Sequence, residues 1–130
     1  MNRLQALVGL NLAGDIGSIR LRALLGYFKN IEDIFTSSQK ELNAVSGVGQ
    51  KIAARITSIK KEEIDREYAL AHKLGLRIIC EEDADYPFNL KNIPDPPIVL
   101  YVKGDFAAED KFSLFKEQYI SAQAPGQVHP

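Results

Sequence analysis

The sequence predicts a mainly α protein: a helical region over residues 1–74, a small incomplete α/β segment over residues 75–113, and a tail over residues 114–130. Three observations carry that expectation. Residues 42–56, LNAVSGVGQKIAARI, place two glycines around one apolar residue between two short amphipathic patterns. A degenerate copy of this pattern lies 32 residues upstream. After Gly75 the helical spacing gives way to two short apolar runs separated by an acidic stretch and a proline cluster.

In chain order, the upstream copy comes first. Ile16-Gly17 matches Val48-Gly49, Leu10 matches Leu42, Ala13 matches Val45 and Leu24 matches Ile56. Gly14 stands one place earlier than the match to Gly47 requires, and Leu21 stands where the second copy has Ala53. Two units of this size can share a core that neither could bury alone. Residues 31–35 connect them, and Ser38 with Glu41 has the capping-box spacing for the helix that enters the second unit. That unit reads as a helix-hairpin-helix. Gly47 and Gly49 permit backbone angles closed to other residues, and Val48 can turn inward as a plug. Ile64, Tyr68, Ala71 and Leu74 then recur at helical spacing, with Gly75 placed to end the helix in a left-handed cap. Residues 76–80 read as a buried strand. An acidic loop over residues 81–85 runs into Tyr86-Pro87 and a short helical turn from Phe88 to about Ile93, which Pro94, Pro96 and Pro97 stop. Residues 98–102 form the second strand, with Lys103-Gly104-Asp105 as its turn. Strand, crossover and strand would begin an α/β sheet. Two strands do not make a stable open sheet, so this piece is expected to be the edge of a larger one.

Composition narrows the function classes. A chain of 130 residues holds one ordinary core or two small ones. The apolar run over residues 4–13 follows a single Arg3, has no small-x-small cleavage site and continues into the first hairpin, which argues against a leader. Nothing suggests a membrane span. Cys80 is the single cysteine, so neither an internal disulfide nor a cysteine metal pair can form, and a cytoplasmic protein is expected. His72 and His129 have no partners at ligand spacing, so no metal or cofactor is expected. The net charge of −1 conceals a division: residues 1–61 carry nine Lys or Arg against four Asp or Glu, and residues 62–130 seven against thirteen. Residues 42–61 contain no acid but do contain Lys51, Arg55, Lys60 and Lys61.

That basic stretch beside a glycine hairpin suits a polyanion. The free N–H groups at the start of the second helix, with the positive end of its dipole, suit a phosphate oxygen and ignore base identity. The candidate DNA-contacting set is therefore Gly47, Val48, Gly49, Lys51, Arg55, Lys60 and Lys61, with Gly14, Ile16, Gly17 and Arg20 as a weaker second hairpin. Lys51 and Arg55 share a helix face, while Ile52, Ala53, Ile56 and Ile59 occupy another. The bland alternative is a solvated basic face on a motif that only packs two helices. Catalysis is not expected. Lys51 stands where bifunctional helix-hairpin-helix DNA glycosylases carry a nucleophilic lysine, but the aspartate those enzymes need about twenty residues later is absent: positions 70 and 71 are Leu and Ala, and Asp65 comes too early. Tyr86 and Phe88 could stack a base but are better packing anchors. Cys80 reads as core, and the acidic run as a solvated loop.

The order of these elements resembles the N-terminal region of the bacterial DNA-processing protein DprA (Smf) family. The residues that carry it are Leu10 to Gly17, Leu24-Leu25-Gly26-Tyr27-Phe28, the Gly47-Val48-Gly49 hairpin, Asp85-Tyr86-Pro87 to Leu90, and Pro96-Pro97-Ile98-Val99-Leu100-Tyr101-Val102-Lys103-Gly104-Asp105. The similarity covers residues 3–113. It implies a helical domain resembling sterile-alpha-motif (SAM) and helix-hairpin-helix domains, followed by the edge of a Rossmann-like domain. It also implies a part in natural transformation, in which the family binds incoming single-stranded DNA and loads the recombinase RecA, without catalysis. The resemblance assigns the main DNA-binding and dimer-forming surfaces to the Rossmann-like domain, whose glycine-rich V-G-S/T-R segment should follow Lys111-Phe112-Ser113. Residues 114–130 supply no such pattern. A truncated member, an isolated domain, or an ending from another reading frame are all open. The expected role is an accessory module with weak, nonspecific DNA affinity at most; the alternative is a module for protein association with no DNA contact.

Overall fold

The computed structural model describes residues 1–103 and, beyond them, the backbone of Ile120–Ser121. The element order is α1 (Arg3–Ala13), α2 (Ser18–Tyr27), α3 (Asp33–Thr36), α4 (Gln39–Asn43), α5 (Gln50–Ser58), α6 (Lys61–Lys73), β1 (Leu76–Cys80), α7 (Phe88–Lys91), β2 (Val99–Lys103) and β3 (Ile120–Ser121). Local chemistry accounts for the helix ends. Ser38 and Glu41 form the expected capping box on α4. Asn2 and Gln5 form another on α1, a signal the sequence reading passed over. Gly75, at φ +74°, closes α6, and its N–H donates to the His72 carbonyl.

The two hairpins, α1–α2 and α4–α5, share one core around Leu7, Leu10, Leu24, Leu42 and Ile56, with α3 as the connector. Gly9 on α1 faces the middle of this core. A Cβ there would fall 2.9 Å from the Phe35 ring and 3.0 Å from Ile64. Helix α6 then runs back over α1 and delivers the chain to β1. Of the four residues expected on its apolar stripe, Ile64 and Ala71 are buried and Tyr68 is half-buried. Leu74 is exposed, because the helix ends there and the chain turns away.

The sheet corrects one expectation. β1 and β2 do not form a crossover unit but pair antiparallel, Leu76 opposite Lys103 and Cys80 opposite Val99. The acidic loop and α7 are thus an excursion at the end of a wide hairpin, and β3 extends the order to β1-β2-β3 on the far side, also antiparallel. Doubly wound sheets often carry such an antiparallel edge, so the segment keeps its incomplete α/β character. β2 is apolar on both faces for a visible reason. Val99 and Tyr101 enter the main core beneath α1, while Leu100 and Val102 pack with Ile79 and Tyr86 on the opposite side. β1 is only partly buried, because it borders the sheet and faces the helices along one side. Tyr101 is fully buried beside Asn11 of α1 and Glu67 of α6. Burial holds its phenol well above the usual range, and the Glu67 carboxylate adds to this. The helices and one face of the sheet therefore share one interior, and the opposite face carries a smaller second cluster.

Candidate nucleic-acid interface

The two hairpin turns face each other across a single cleft of about 790 Å³, lined among others by Asp15, Gly17, Arg20, Gly49, Lys51 and Asp95. Their plugs are equivalent: Ile16 is 5% exposed and Val48 is 4% exposed. Each turn ends in a glycine that caps the following helix with extended backbone, Gly17 before α2 (φ −102°, ψ −166°) and Gly49 before α5 (φ −84°, ψ 179°). The left-handed position is one turn residue earlier. Gly47 has φ +84°, as the motif suggests; its counterpart at the 32-residue offset is Asp15, with φ +59°, preceded by Gly14 at φ +85°. Aspartate tolerates this region better than most side chains. The apparent misplacement of Gly14 in the upstream copy is thus resolved. By contrast, Gly49 adopts angles open to any residue, and a Cβ there would meet nothing within 4 Å.

Two arginines tie the turns together. The Arg20 Nε–H donates to the Gly47 carbonyl at 2.8 Å, and its Nη1 donates to the Asp15 carbonyl at 2.6 Å. In return Arg55 of α5 reaches the first turn, donating from Nη1 to the Ala13 carbonyl and the Asp15 carboxylate, both at 3.4 Å. These two members of the candidate set act first as braces between hairpins. Arg20 meets only carbonyls in these bonds, so its charge still adds to the cleft, whereas Arg55 is paired with Asp15. Lys51 is exposed and forms no ion pair among the described residues. Lys60 and Lys61 sit at the opposite end of α5, roughly 14 Å along its axis from the Gly49 turn at 1.5 Å per residue, and take no part in the cleft.

The turns differ in what stands before the helix that follows. At α5 no side chain among the described residues caps the N-terminus, and no acid occupies the first turn. At α2 the segment leading into β2 closes the end. The Ile19 N–H donates to Asp95 Oδ1 at 2.9 Å and the Ser18 N–H to the Pro96 carbonyl at 3.0 Å, while Gly17 forms a β-bridge with Pro97. The Asp95 carboxylate lies so close over Gly17 that a Cβ would fall 2.4 Å from Oδ1. Tyr86 anchors the segment from behind: its buried hydroxyl donates to the Pro97 carbonyl at 2.8 Å. Burial, with Glu81 nearby, pushes that phenol up to about 12. Tyr86 is thus a packing anchor, while Phe88 is 75% exposed.

The acidic loop is not a free solvated run. Glu81 accepts from the Ser18 hydroxyl at 2.9 Å, Glu82 pairs with Arg3, the Asp83 carboxylate accepts from the Cys80 N–H at 2.8 Å, and Asp85 pairs with Arg77 at 2.9 Å. The first two fasten the loop to α2 and α1, and the other two hold it against β1. Cys80 packs partly buried against the core, and burial raises its thiol.

Residues 77–114 match the family of DNA recombination-mediator protein A. The chain is 28% identical over 90 residues to Protein Smf of Synechocystis sp., an overlap of 68% of this chain and 23% of that protein. Both matches show similarity to DprA/Smf proteins over part of the chain. The chain also shares 35% identity over 51 residues with a putative ATP-dependent RNA helicase, MJ1505, of Methanocaldococcus jannaschii, covering 39% of this chain and 7% of that protein. The chain thus spans less than a quarter of either relative's length. No solved structure matches it significantly. The DprA segment matched includes the Asp85-Tyr86-Pro87 and Pro96-Pro97 motifs, which the Tyr86–Pro97 hydrogen bond joins in space. Its last matched residue, Leu114, falls where the sequence resemblance ends; the V-G-S/T-R position and all of the tail except the Ile120–Ser121 strand lie outside the described residues.

Proposed function

We propose that this chain is the N-terminal accessory module of a DprA-like protein and that its second hairpin makes a weak, sequence-independent contact with a nucleic-acid backbone. One observation carries the reading: the α5 N-terminus at Gly49 opens uncapped into the cleft with Lys51 beside it. Uncapped N–H groups, the helix dipole and an unpaired lysine together favour a phosphate oxygen. A hairpin of this size meets only a few phosphates, so the affinity is low and falls with salt. The family name refers to DNA recombination. By resemblance, the whole protein would bind single-stranded DNA and load a RecA-type recombinase during transformation, in the cytoplasm, chiefly through the Rossmann-like domain. No cofactor or catalytic step belongs to this role. No described helix is long and apolar enough to cross a membrane.

Protein association is the second reading, favoured by Ile19 and Tyr27 on α2, which are 57% and 52% exposed. Binding of an oligothymidylate at low salt by the wild-type chain and by Lys51→Glu separates the two. We expect the charge reversal to weaken binding at least tenfold, since it removes one phosphate contact and adds a repulsion. No binding by the wild type, together with self-association lost on Ile19→Glu, would replace the DNA reading with the association reading.

A further inference from the structure

The hairpins share a kind of plug, a capping glycine and a cleft, yet among the described residues only the first has its helix start covered. Before α2, the Asp95 carboxylate accepts from the Ile19 N–H, directly above a glycine whose Cβ would collide with it. The adjacent Ser18 N–H is held by the Pro96 carbonyl. A carboxylate on helix-start N–H groups is the same electrostatic arrangement as a phosphate oxygen on them. It is held in place by contacts distant in sequence: the Gly17–Pro97 bridge, and the Tyr86 hydroxyl on the Pro97 carbonyl.

We propose that Asp95 closes the first hairpin as an internal substitute for phosphate, so that the chain contacts nucleic acid one-sidedly, along a single backbone at the second hairpin. The proposal rests on the second-hairpin reading for its nucleic-acid partner, but the closing role of Asp95 stands independently of it. Two open hairpins on one cleft could hold two stretches of backbone. With the first occupied, a single strand supplies all the phosphate the cleft can take, and a duplex gains nothing over it. The negative charge of Asp95 also keeps a second backbone away from the first turn.

The test uses the isotope-labelled chain in wild-type, Asp95→Asn and Asp95→Ala forms, titrated with inorganic phosphate and then with a short oligothymidylate. Backbone amide signals of residues 18–20 report on the first hairpin and those of residues 50–52 on the second. In the wild type and in Asp95→Asn, which keeps the Oδ1 acceptor, only the residue 50–52 signals should move. In Asp95→Ala both sets should move, with oligothymidylate bound several-fold more tightly and the log–log salt slope steeper by about 0.7, the value for one added single-strand phosphate. Movement of the residue 18–20 signals in the wild type overturns the proposal, and this reading survives even if Asp95→Ala does not fold. So does a folded Asp95→Ala chain whose residue 18–20 signals stay still under phosphate. Silence of residues 50–52 in all three forms overturns the second-hairpin reading alone, because residues 18–20 still report on Asp95.

Discussion

The first hairpin and the second are built to one plan and put to different uses. Each buries one β-branched plug, Ile16 or Val48, and each starts its second helix at an extended glycine. Around the first, the chain returns after some eighty residues to fill the helix start with Asp95 and Pro96. Around the second, no described residue returns to the helix start. The motif itself therefore decides the geometry of the turn, and the surrounding chain decides whether that turn is a joint or a contact surface. The first hairpin joins helices to sheet; the second is left to face solvent. The reciprocal bonds of Arg20 and Arg55 brace the two hairpins against each other.

The largest difference should appear when the glycines of the second turn are compared. Gly47→Val places a β-branched residue at φ +84° and should cost about 1–3 kcal/mol, seen as a lowered thermal midpoint. Gly49→Val puts the same side chain into open space at unstrained angles, so its midpoint should lie far closer to wild type. Equal losses in the two would break the assignment of the strained position to Gly47. This reverses the expectation from sequence that both glycines are needed for their backbone angles.

A smaller effect should distinguish the closed hairpin from the open one at alkaline pH. Tyr86 has a folded pKa of about 12, above its unfolded value of about 10. The phenol therefore contributes stability that is fully present below pH 10 and lost as pH rises through 12. Its ionisation would set a negative oxygen against the Pro97 carbonyl and loosen the segment over Gly17. Tyr86→Phe should reduce the fall in thermal midpoint between pH 10 and 12. In the wild type, amide exchange at Ile19 should rise over this range more than its intrinsic base-catalysed rate predicts, while exchange at Lys51 follows the intrinsic rate. An unchanged alkaline fall in Tyr86→Phe would mean that the anchor does not govern closure.

What could be read from sequence was local. The capping box at Ser38 and Glu41, the plug at Val48, the cap at Gly75 and both strands follow from spacing and residue type within a few positions. The antiparallel pairing of β1 and β2 was not legible, since the 18-residue connection between them accommodates either direction. The left-handed Asp15 was hidden by a search for glycine at a position that aspartate can also fill. Arg55 stood out on a basic face and Arg20 in the weaker hairpin, but each reaches a carbonyl of the opposite hairpin, a tertiary fact with no local signature. Asp95 was missed for the same reason: in sequence it is one acid in a proline cluster, and only the fold sets it over Gly17.

The smallest structural change provides the sharpest test. Gly49→Asp installs at the open helix start the group that already closes the other one, at angles aspartate adopts freely and in vacant space. As an N-cap in place of glycine it should raise stability by a few tenths of a kcal/mol, so any loss of binding cannot be laid to unfolding. Titration of the chain with oligothymidylate at low salt, wild type beside Gly49→Asp, measures the central claim directly. The account predicts weak, salt-sensitive binding by the wild type and none by the variant, at an equal or higher thermal midpoint. Undiminished binding by a folded Gly49→Asp chain would contradict it.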